Sequence, residues 1–401
     1  MLLFLACGPP SVPMMVGPID TGADWVDEAP GPEGIGEVPE LDVFSEELIH
    51  SFALELDSDA RYALQRDPYE WAEGVFVVAG VRYEVGVRVK GSSTYESIDD
   101  KPSLKLSFDF VSEGQRFHGM RRLNLHNMTL DPMLCSEVLT WAIFRAAELP
   151  APRVGYARLD INDDDRGLYS VVEDIEDDFL GRWFEDSGGN LYENRENYCD
   201  LSSVSCFEAE EDDEGNDDAL QALVEAAALE GSDWLAAMQD QMDWERFVGF
   251  LAMEAAIAHW DSYSFDVSNY RLYHEPTADR FTFIPWSGDL GFGYRPWSYP
   301  DCGKHGVDPG DYDMGRLAAS CEEVSECHEA VLDALLEQAD LLEALDASTM
   351  AAEALDRVRE QAATDPETRN DMDHFEEHGR CVQDFLAGRP EVIRDWVAKE
   401  R

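Results

Sequence analysis

Basic residues are scarce in this chain. Its 401 residues include 30 lysines and arginines but 85 aspartates and glutamates, which gives a formal net charge of −55 at pH 7. A charge of this size repels polyanions over long distances and therefore disfavours binding to nucleic acid or to anionic lipid. We expect the partners to be cationic, or to be cations themselves. The densest acidic runs, at residues 163–165 and 208–214, are most simply explained as solvated loops.

Long apolar runs are missing as well. Beyond the first residues no segment reaches about 18 apolar residues, so we predict that no helix spans a membrane. The opening MLLFLACGPP resembles the cleavage box of a bacterial lipoprotein signal with Cys7 as the lipidated residue, although the basic segment of such signals is missing. Residues 8–40 are rich in proline, glycine and acids, which predicts a flexible tether. We therefore expect an extracytoplasmic protein, secreted or attached to a membrane only through Cys7.

The chain has eight cysteines but no Cys-x-x-Cys pair, and its nine histidines are scattered, so a zinc site is disfavoured. Cys199 and Cys206 are close enough in sequence to close a loop through a disulfide. Cys135 lies in a helical pattern and is expected to be a buried thiol. Two further bridges could form among Cys302, Cys321, Cys327 and Cys381. Disulfides in this number favour an oxidising compartment.

Alternating apolar residues predict β-structure in the first half of the chain. Hairpins are expected at residues 74–90 and 156–172, and single strands at 103–108 and 121–125, which together would build an antiparallel sheet. The turn of the second hairpin imitates the start of a calcium loop, with acidic or amide residues at Asp160, Asn162 and Asp164. The glycine and glutamate that such a loop needs further on are absent, so we interpret it as a hairpin turn.

Helical spacing predominates in the second half. A first helix is predicted at residues 131–148, and others cover 217–230, 232–240, 243–259 and much of the chain from 316 onward. A strand pair at 270–273 and 281–284 interrupts them. We predict an α+β fold with a β-rich N-terminal lobe at 41–200, a mainly helical C-terminal lobe at 201–401, and the functional site at their junction.

Several short segments between residues 80 and 295 form an ordered set. They are Val87-Arg88-Val89-Lys90-Gly91-Ser92-Ser93, Lys101-Pro102-Ser103-Leu104-Lys105-Leu106, Leu123-Asn124-Leu125-His126-Asn127, Gly167-Leu168-Tyr169 with Glu173, Asp261 with Asn269-Tyr270, and Ile284-Pro285-Trp286-x-x-Asp289. Taken together they resemble the CotH kinase family, atypical protein kinases related to a bacterial spore-coat protein. The resemblance implies a two-lobed, protein-kinase-like fold. It also implies transfer of the γ-phosphoryl group of ATP to Ser or Thr of an envelope or extracellular protein.

Phosphoryl transfer needs a cradle and a cation for the phosphates. Gly91, Ser92 and Ser93 lie between strands, where their backbone N–H groups could contact phosphate oxygens. Lys105 alternates with two leucines and could reach the α- and β-phosphates, with Lys101 as the alternative. Glu173 ends a strand and could orient that lysine or face the nucleotide between the lobes. The sequence leaves these two roles of Glu173 open.

The reaction also needs a base and ligands for Mg²⁺ or Mn²⁺. We assign Asp261 as the base and Asn269 as a metal ligand, because a kinase places an Asp and an Asn in one loop; Asp266 competes for either role. Asp289, flanked by glycines beyond an apolar strand, would be the metal aspartate. The family usually has a further Asp at the position of Ser287, so this chain departs from the pattern at one metal ligand.

Two other classes of protein fit part of the sequence. A non-catalytic surface or coat-assembly binding protein with the same fold is favoured by Ser287 and by export, since ATP is scarce outside the cytoplasm. A surface protein whose acidic clusters bind Ca²⁺ structurally would be stabilised by Ca²⁺ and not by nucleotide. In each case we expect a monomer.

Overall fold

The β-rich half of the chain closes on itself instead of forming an open sheet. The computed structural model describes residues 41–195, 199–209, 217–294, 308–367 and 371–401. Seven strands form a closed barrel: β1 Ile49–Glu55, β2 Ala72–Val78, β3 Val81–Lys90, β4 Ser103–Ser107, β5 Arg122–His126, β6 Val154–Ile161 and β7 Asp164–Glu173. Their order is β1-β2-β3-β4-β5-β7-β6. All neighbours are antiparallel except β1 and β6, which run parallel and close the barrel.

Alternation along the strands separates the barrel core from an outer polar face. In β3, Val85, Val87 and Val89 are fully buried in the core, and Arg88 and Lys90 point to the other side, as a period of two requires. Aromatic rings complete the core, and the ring centroids of the stacked Phe108 and Phe117 lie 4.9 Å apart. The predicted hairpins and strands are confirmed, whereas an antiparallel sheet proved to be a barrel. The closing strand β1 pairs with residues more than a hundred positions away, which local alternation does not reveal.

The second half combines helices with a smaller sheet. Four strands, β8 Asn190–Asn194, β9 Phe207–Ala209, β10 Tyr270–Glu275 and β11 Arg280–Pro285, pair in the order β11-β10-β8-β9. The α-helices of the described residues are α1 Ser58–Arg66, α2 Ser136–Ala146, α3 Asp177–Trp183, α4 Asp218–Ala227, α5 Gly231–Gln241, α6 Trp244–Ala256, α7 Tyr263–Asp266, α8 Arg316–Glu323, α9 Ser325–Ala344, α10 Ala347–Thr364 and α11 Met372–Glu400. The α+β class, with a β-rich N-terminal and a helical C-terminal part, is confirmed.

The structure refines two predicted boundaries, the start of a helix and the border between the two lobes. The helix expected from residue 131 begins at Ser136, because Asp131 accepts hydrogen bonds from the Ser136 backbone and hydroxyl, at 2.7 Å each, and organises the turn before the helix. Strand β8 lies before residue 200 but pairs with β10, so the small sheet extends across the predicted boundary between lobes. All described residues lie in one unit, Ile35–Arg401.

The segment that imitates the start of a calcium loop is a hairpin turn, as predicted. The Asn162 side chain bonds the backbone of Leu56 through both its amide atoms, at 2.7 and 2.9 Å, which occupies it within the protein. Strands β6 and β7 pair on either side of it, as the hairpin prediction requires.

The cysteines follow the predicted pattern where they are described. Cys199 bonds Cys206, Cys321 bonds Cys327, and Cys381 is also disulfide-bonded. Cys135 is a buried free thiol. Cys7, the predicted tether at residues 8–40 and Cys302 lie outside the described residues. In the part of the chain that the structure describes, every helix is too short or too polar to cross a bilayer.

A buried ion pair joins the barrel to the C-terminal helices. Lys101 Nζ lies 2.7 Å from Asp365 Oδ2, and both side chains are buried. The same carboxylate accepts the backbone N–H of Leu168 in β7, at 2.9 Å. Lys101 is therefore held by a carboxylate next to the C-terminal helices, which disfavours the alternative that gave it the role of the phosphate-binding lysine.

Replacing Lys101 by Met should destabilise the protein by about 3–5 kcal/mol, because Asp365 would be left as an unpaired buried charge. Urea denaturation followed by circular dichroism measures the change. Arg394→Met is the matched control, since Arg394 pairs with Glu343 on the exposed surface, and its loss should change the urea midpoint little. An unchanged midpoint in Lys101→Met would show that the pair contributes nothing to folding.

Candidate functional site

Polar side chains on the outer face of the barrel meet the segments that follow β7 and β11. Lys105 of β4 pairs in register with Asn124 of β5, and Asn124 is fully buried. Its Oδ1 accepts a hydrogen bond from Lys90 Nζ, at 3.1 Å, and its Nδ2 donates one to Asp174 Oδ1, at 2.9 Å. Three strands and the first residue after β7 thus bring two lysines and one carboxylate together around a single amide.

Lys105 has an acidic partner, which the resemblance to kinases leads us to expect for a phosphate-binding lysine. Its Nζ lies 2.6 Å from Asp174 Oδ2, and the two side chains are 8% and 2% exposed. Burial alone would raise the pKa of Asp174, but the charges of Lys105 and Arg271 outweigh it and hold that pKa well below its usual range. Asp174 is therefore ionised and holds the lysine ammonium on the outer face of the barrel. We call the region between this face and the segments that follow β7 and β11 the cleft.

Of the two roles that the sequence leaves open for Glu173, the contacts disfavour the orientation of Lys105, because Glu173 binds arginines instead. Its carboxylate accepts hydrogen bonds from Arg153 Nη2, at 2.8 Å, and from Arg182, and it is 1% exposed. Since side chains alternate along a strand, Glu173 and Asp174 point to opposite sides. The alternation along β7 could have identified Asp174 from the sequence. Ser170 faces the cleft, and Asp174, four residues further along, lies on the same side of the strand.

The loop Gly91-Ser92-Ser93 begins directly after Lys90 and lies at the same end of the cleft. Gly91 has φ +93°, in the region that favours glycine, and a Cβ there would lie 2.5 Å from Thr94 Oγ1. Asn127 Nδ2 donates to the Thr94 carbonyl at 3.1 Å and fixes the loop to the end of β5. The placement is compatible with a phosphate cradle, and contact with phosphate stays a prediction.

Asp261 and Asn269 lie side by side, as predicted. Asn269 Nδ2 donates to Asp261 Oδ2 and to its carbonyl, at 2.7 Å each, and Ser268 Oγ donates to Asp261 Oδ1 at 3.3 Å. Burial and the nearby charge of Asp266 raise the pKa of Asp261 to about 6, although the hydrogen bonds from Asn269 and Ser268 oppose this shift. Asp266 itself belongs to the short helix α7 and acts on Asp261 through its charge.

Two buried groups that the sequence analysis missed support this loop. His259 Nε2 is 3.0 Å from the carbonyl of Ser287, so it joins the loop to the segment after β11. Glu254 of α6 accepts hydrogen bonds from the backbone and hydroxyl of Ser264, at 2.9 and 2.5 Å. A usable signal was present, because His259 precedes Asp261 with the spacing of the His-x-Asp in a kinase catalytic loop.

Asp289 lies in a single turn of 3₁₀ helix, Gly288–Leu290, that packs against α2. Thr140 of α2 donates to the Gly288 carbonyl at 2.8 Å, and Ser287 Oγ donates to Asp289 Oδ1 at 3.0 Å. Burial, together with the negative charges of Glu137, Asp261 and Asp131, raises the pKa of Asp289 to about 8, although the hydrogen bond from Ser287 opposes this shift. Its surroundings thus favour the protonated form of this carboxyl group near neutral pH.

These residues fit a Mg²⁺ or Mn²⁺ ion. Burial and then the nearby acids raise the pKa of Asp289, and a bound cation would favour its ionised form. The Asn269 amide oxygen accepts no hydrogen bond from the described residues, since its nitrogen faces Asp261. Within those residues there is no cluster of three or more His, Cys, Asp or Glu suited to a metal. A metal here would therefore depend on Asp289, Asn269 and phosphate oxygens, which is the usual way that Mg²⁺ is held beside nucleotides.

A third polar group closes the cleft beside Lys90. His126 Nδ1 lies 3.0 Å from Glu137 Oε2, and Ser170 Oγ donates to the same oxygen at 2.8 Å. Burial alone would raise the pKa of Glu137, but its contacts with His126 hold it below the usual value. The sequence analysis missed Glu137 because an acid in the first turn of a helix looks like an ordinary terminal residue.

A family model matches most of this chain. The model described as CotH kinase protein matches residues 87–393, so the chain belongs to the CotH kinase family. Inner spore coat protein H of Bacillus subtilis (strain 168) is 20% identical over 329 residues, which cover 79% of this chain and 88% of that protein.

Two solved structures are similar to this chain at low sequence identity. The proinflammatory kinase CtkA of Helicobacter pylori is 10% identical over 74% of this chain and 93% of its own, with a TM-score of 0.31. The HipA–HipB–operator DNA complex of Shewanella oneidensis MR-1 contains a chain that is 13% identical over 92% of this chain and 75% of its own, with a TM-score of 0.39.

Replacing Ser287 by Asp should raise the affinity for Mn²⁺ about tenfold, because affinity follows the number of ligand charges. The residue has φ +54°, which Asp tolerates better than most side chains. Isothermal titration with Mn²⁺ measures the change, with Ser287→Asn as the uncharged control of similar size. Equal affinities in the three proteins would remove this position from the metal site.

Replacing Asp289 by Asn should make the metal-free protein more stable at alkaline pH. The pKa of Asp289 is raised from 3.8 to about 8 by folding, so its contribution to stability is present at low pH and is lost as pH rises through about 8. The difference in melting temperature between Asp289→Asn and wild type should therefore grow from about pH 5 to about pH 9. The other titrating groups are the same in both proteins, so their effects cancel in this difference. A constant difference across this range would contradict the raised pKa.

Proposed function

We propose that this protein is an ATP-dependent protein kinase that transfers the γ-phosphoryl group to Ser or Thr hydroxyls of an envelope or extracellular protein. Membership of the CotH kinase family supports a kinase-type protein. The observation that carries the proposal is the meeting of three elements in one cleft: the Lys105–Asp174 pair, the Asp261–Asn269 loop and Asp289. The backbone N–H of Trp286 donates to the Asn269 carbonyl at 2.9 Å, which holds the last two elements together.

Each residue has a role that its surroundings support. Lys105, oriented by Asp174, would contact the α- and β-phosphates, and the backbone of Gly91-Ser92-Ser93 would donate to phosphate oxygens. Asp289 and the Asn269 amide oxygen would hold Mg²⁺ or Mn²⁺. The metal, when bound, neutralises charge on the β- and γ-phosphate oxygens.

Asp261 would act as the base. Its pKa of about 6 leaves it ionised at neutral pH and yet more basic than an ordinary aspartate. One of its oxygens accepts the proton of the acceptor hydroxyl, whose oxygen forms the new bond to the γ-phosphorus. The bond from that phosphorus to the β–γ bridging oxygen breaks, and ADP leaves with the electron pair. Asn269 and Ser268 keep the carboxylate in place during this step.

The structure and the relatives also support a location outside the cytoplasm. The disulfides Cys199–Cys206 and Cys321–Cys327 suit an oxidising compartment, and the curated relative is a spore coat protein. Attachment through a lipidated Cys7, a monomeric state and the identity of the acceptor protein belong to the proposal.

One observation favours a non-catalytic binding protein as the second candidate. Ser287 stands where the family usually has an aspartate, and its hydroxyl bonds Asp289 in place of a second carboxylate. If the metal site has become too weak to hold nucleotide, the fold would serve as a surface or coat-assembly module.

ATP with Mg²⁺ should raise the melting temperature of the full chain, and Asp289→Ala should abolish the shift. Asp261→Asn should keep the ATP shift and lower phosphate transfer by about a hundredfold or more, because it removes the base and not the binding site. Differential scanning fluorimetry measures the first effect, and transfer of labelled phosphate from ATP to a Ser/Thr peptide array measures the second. Absence of any shift at millimolar ATP would favour the binding protein.

A further inference from the structure

Lys90 is a partly buried cation without a carboxylate partner among the described residues. Its Nζ contacts Asn124 Oδ1 at 3.1 Å and His126 Nε2 at 2.8 Å, and it lies 4.8 Å from the centre of the Trp286 ring. All three neighbours are uncharged groups. An ammonium has three N–H donors, so these contacts leave one donor for another acceptor.

The neighbouring network fixes how His126 meets this lysine. His126 Nδ1 faces Glu137 at 3.0 Å, so the proton of the neutral ring is on Nδ1 and Nε2 accepts from Lys90. Burial lowers the pKa of His126, which keeps the ring neutral. Glu137 therefore bonds His126 and Ser170, and it acts on Lys90 through its charge without a direct contact.

Lys90 differs in this respect from the other lysines of the barrel. Lys101 pairs with Asp365 and Lys105 pairs with Asp174, each within 2.7 Å. In a chain with almost three acids for every base, a lysine that points into a cleft and meets only neutral groups is unusual. Burial, followed by the positive charge of Lys105, lowers the pKa of Lys90 to about 7. An anion bound in front of it would restore its proton and its charge.

We propose that Lys90 is a second phosphate-binding residue, which contacts the polyphosphate of a nucleoside triphosphate beside Lys105. The inference rests on the proposed function and extends it to a residue that the sequence analysis left without a role. Position supports it, because Lys90 directly precedes the Gly91-Ser92-Ser93 loop and lies against Trp286, three residues before Asp289. The ammonium of Lys90 therefore lies beside the segment that carries Asp289, and the loop begins at the next residue.

The protonation of Lys90 gives a readout that a structural role would not. The charged and titratable groups that face it from the surrounding elements are Lys105, His126, Glu137, Asp174 and Arg271. Since Lys90 loses its proton near neutrality, its help to an anion should fade as pH rises. Arginine keeps its charge and can stack on an aromatic ring in the same way, so Lys90→Arg should not show that loss.

The test is isothermal titration of the full chain with ATP in the presence of Mg²⁺ and, separately, with inorganic tripolyphosphate. The variants are Lys90→Met, Lys90→Arg, and Lys399→Met as a control that removes an exposed lysine far along α11. Lys90→Met should weaken both ligands at least about tenfold, as the loss of a charged hydrogen bond does. Lys399→Met should bind like wild type, and Lys90→Arg should retain binding. The ratio of wild-type to Lys90→Arg affinity should fall from about pH 6.5 to about pH 8.5.

The outcomes separate this inference from the proposed function. If wild type binds ATP and Lys90→Met binds it within twofold of wild type, the role of Lys90 is overturned and the kinase proposal stands. If wild type binds tripolyphosphate through Lys90 but does not bind ATP, the phosphate site stands and the kinase proposal falls. If wild type binds neither ligand, both fall. Should Lys90→Met fail to fold by circular dichroism, Lys90→Gln replaces it, with the same expected loss.

Discussion

The arrangement of the cleft depends on one buried amide. Asn124 has no exposed surface, and it donates to the Asp174 carboxylate while it accepts from the Lys90 ammonium. Only an amide offers a donor and an acceptor on one short planar group, so an aspartate here would repel Asp174 and a leucine would leave both charges unsatisfied. This bond joins β5 to the segment after β7. It thereby sets the distance between the two lysines and the carboxylate that orients one of them.

Positive side chains meet in the cleft of a strongly acidic molecule. With a net charge of −55, the protein repels a free polyanion at long range. Lys90, Lys105 and Arg271 nevertheless act on one another and on Asp174 there, and Arg271 also pairs with Glu193. The net charge governs the approach of a ligand, whereas the local charges govern its binding. A nucleotide that arrives as its metal complex carries less negative charge and suits both conditions better than free nucleotide.

Local pattern predicted most of the elements and part of the site. Strands β2 to β7 and helices α4 to α6 follow the periodicity of their own residues, and Asp261, Asn269 and Asp289 lie in turns that the same pattern marks. The closure of the barrel was beyond it, because β1 pairs in parallel with β6 across most of the N-terminal half. Asp174 and Lys90 were within reach of the alternation along their strands. An acid or a lysine at a strand end usually faces solvent, so the sequence did not single them out. Only the packing of Trp286 against Lys90 shows that these strand ends are covered.

The two ends of the cleft have opposite needs for a proton: Asp289 must lose one to bind a metal, and Lys90 must keep one to bind a phosphate. Near neutral pH, burial and then the nearby acids favour the protonated form of Asp289, while burial and then the charge of Lys105 lower the pKa of Lys90 to about 7. A metal alone must displace the proton of Asp289, and a phosphate alone must draw a proton onto Lys90. When the two arrive as one complex, the proton released at the carboxylate matches the proton gained at the lysine. Binding of the complex therefore costs little net ionisation, whereas binding of either part alone is opposed by the pKa of the residue that receives it.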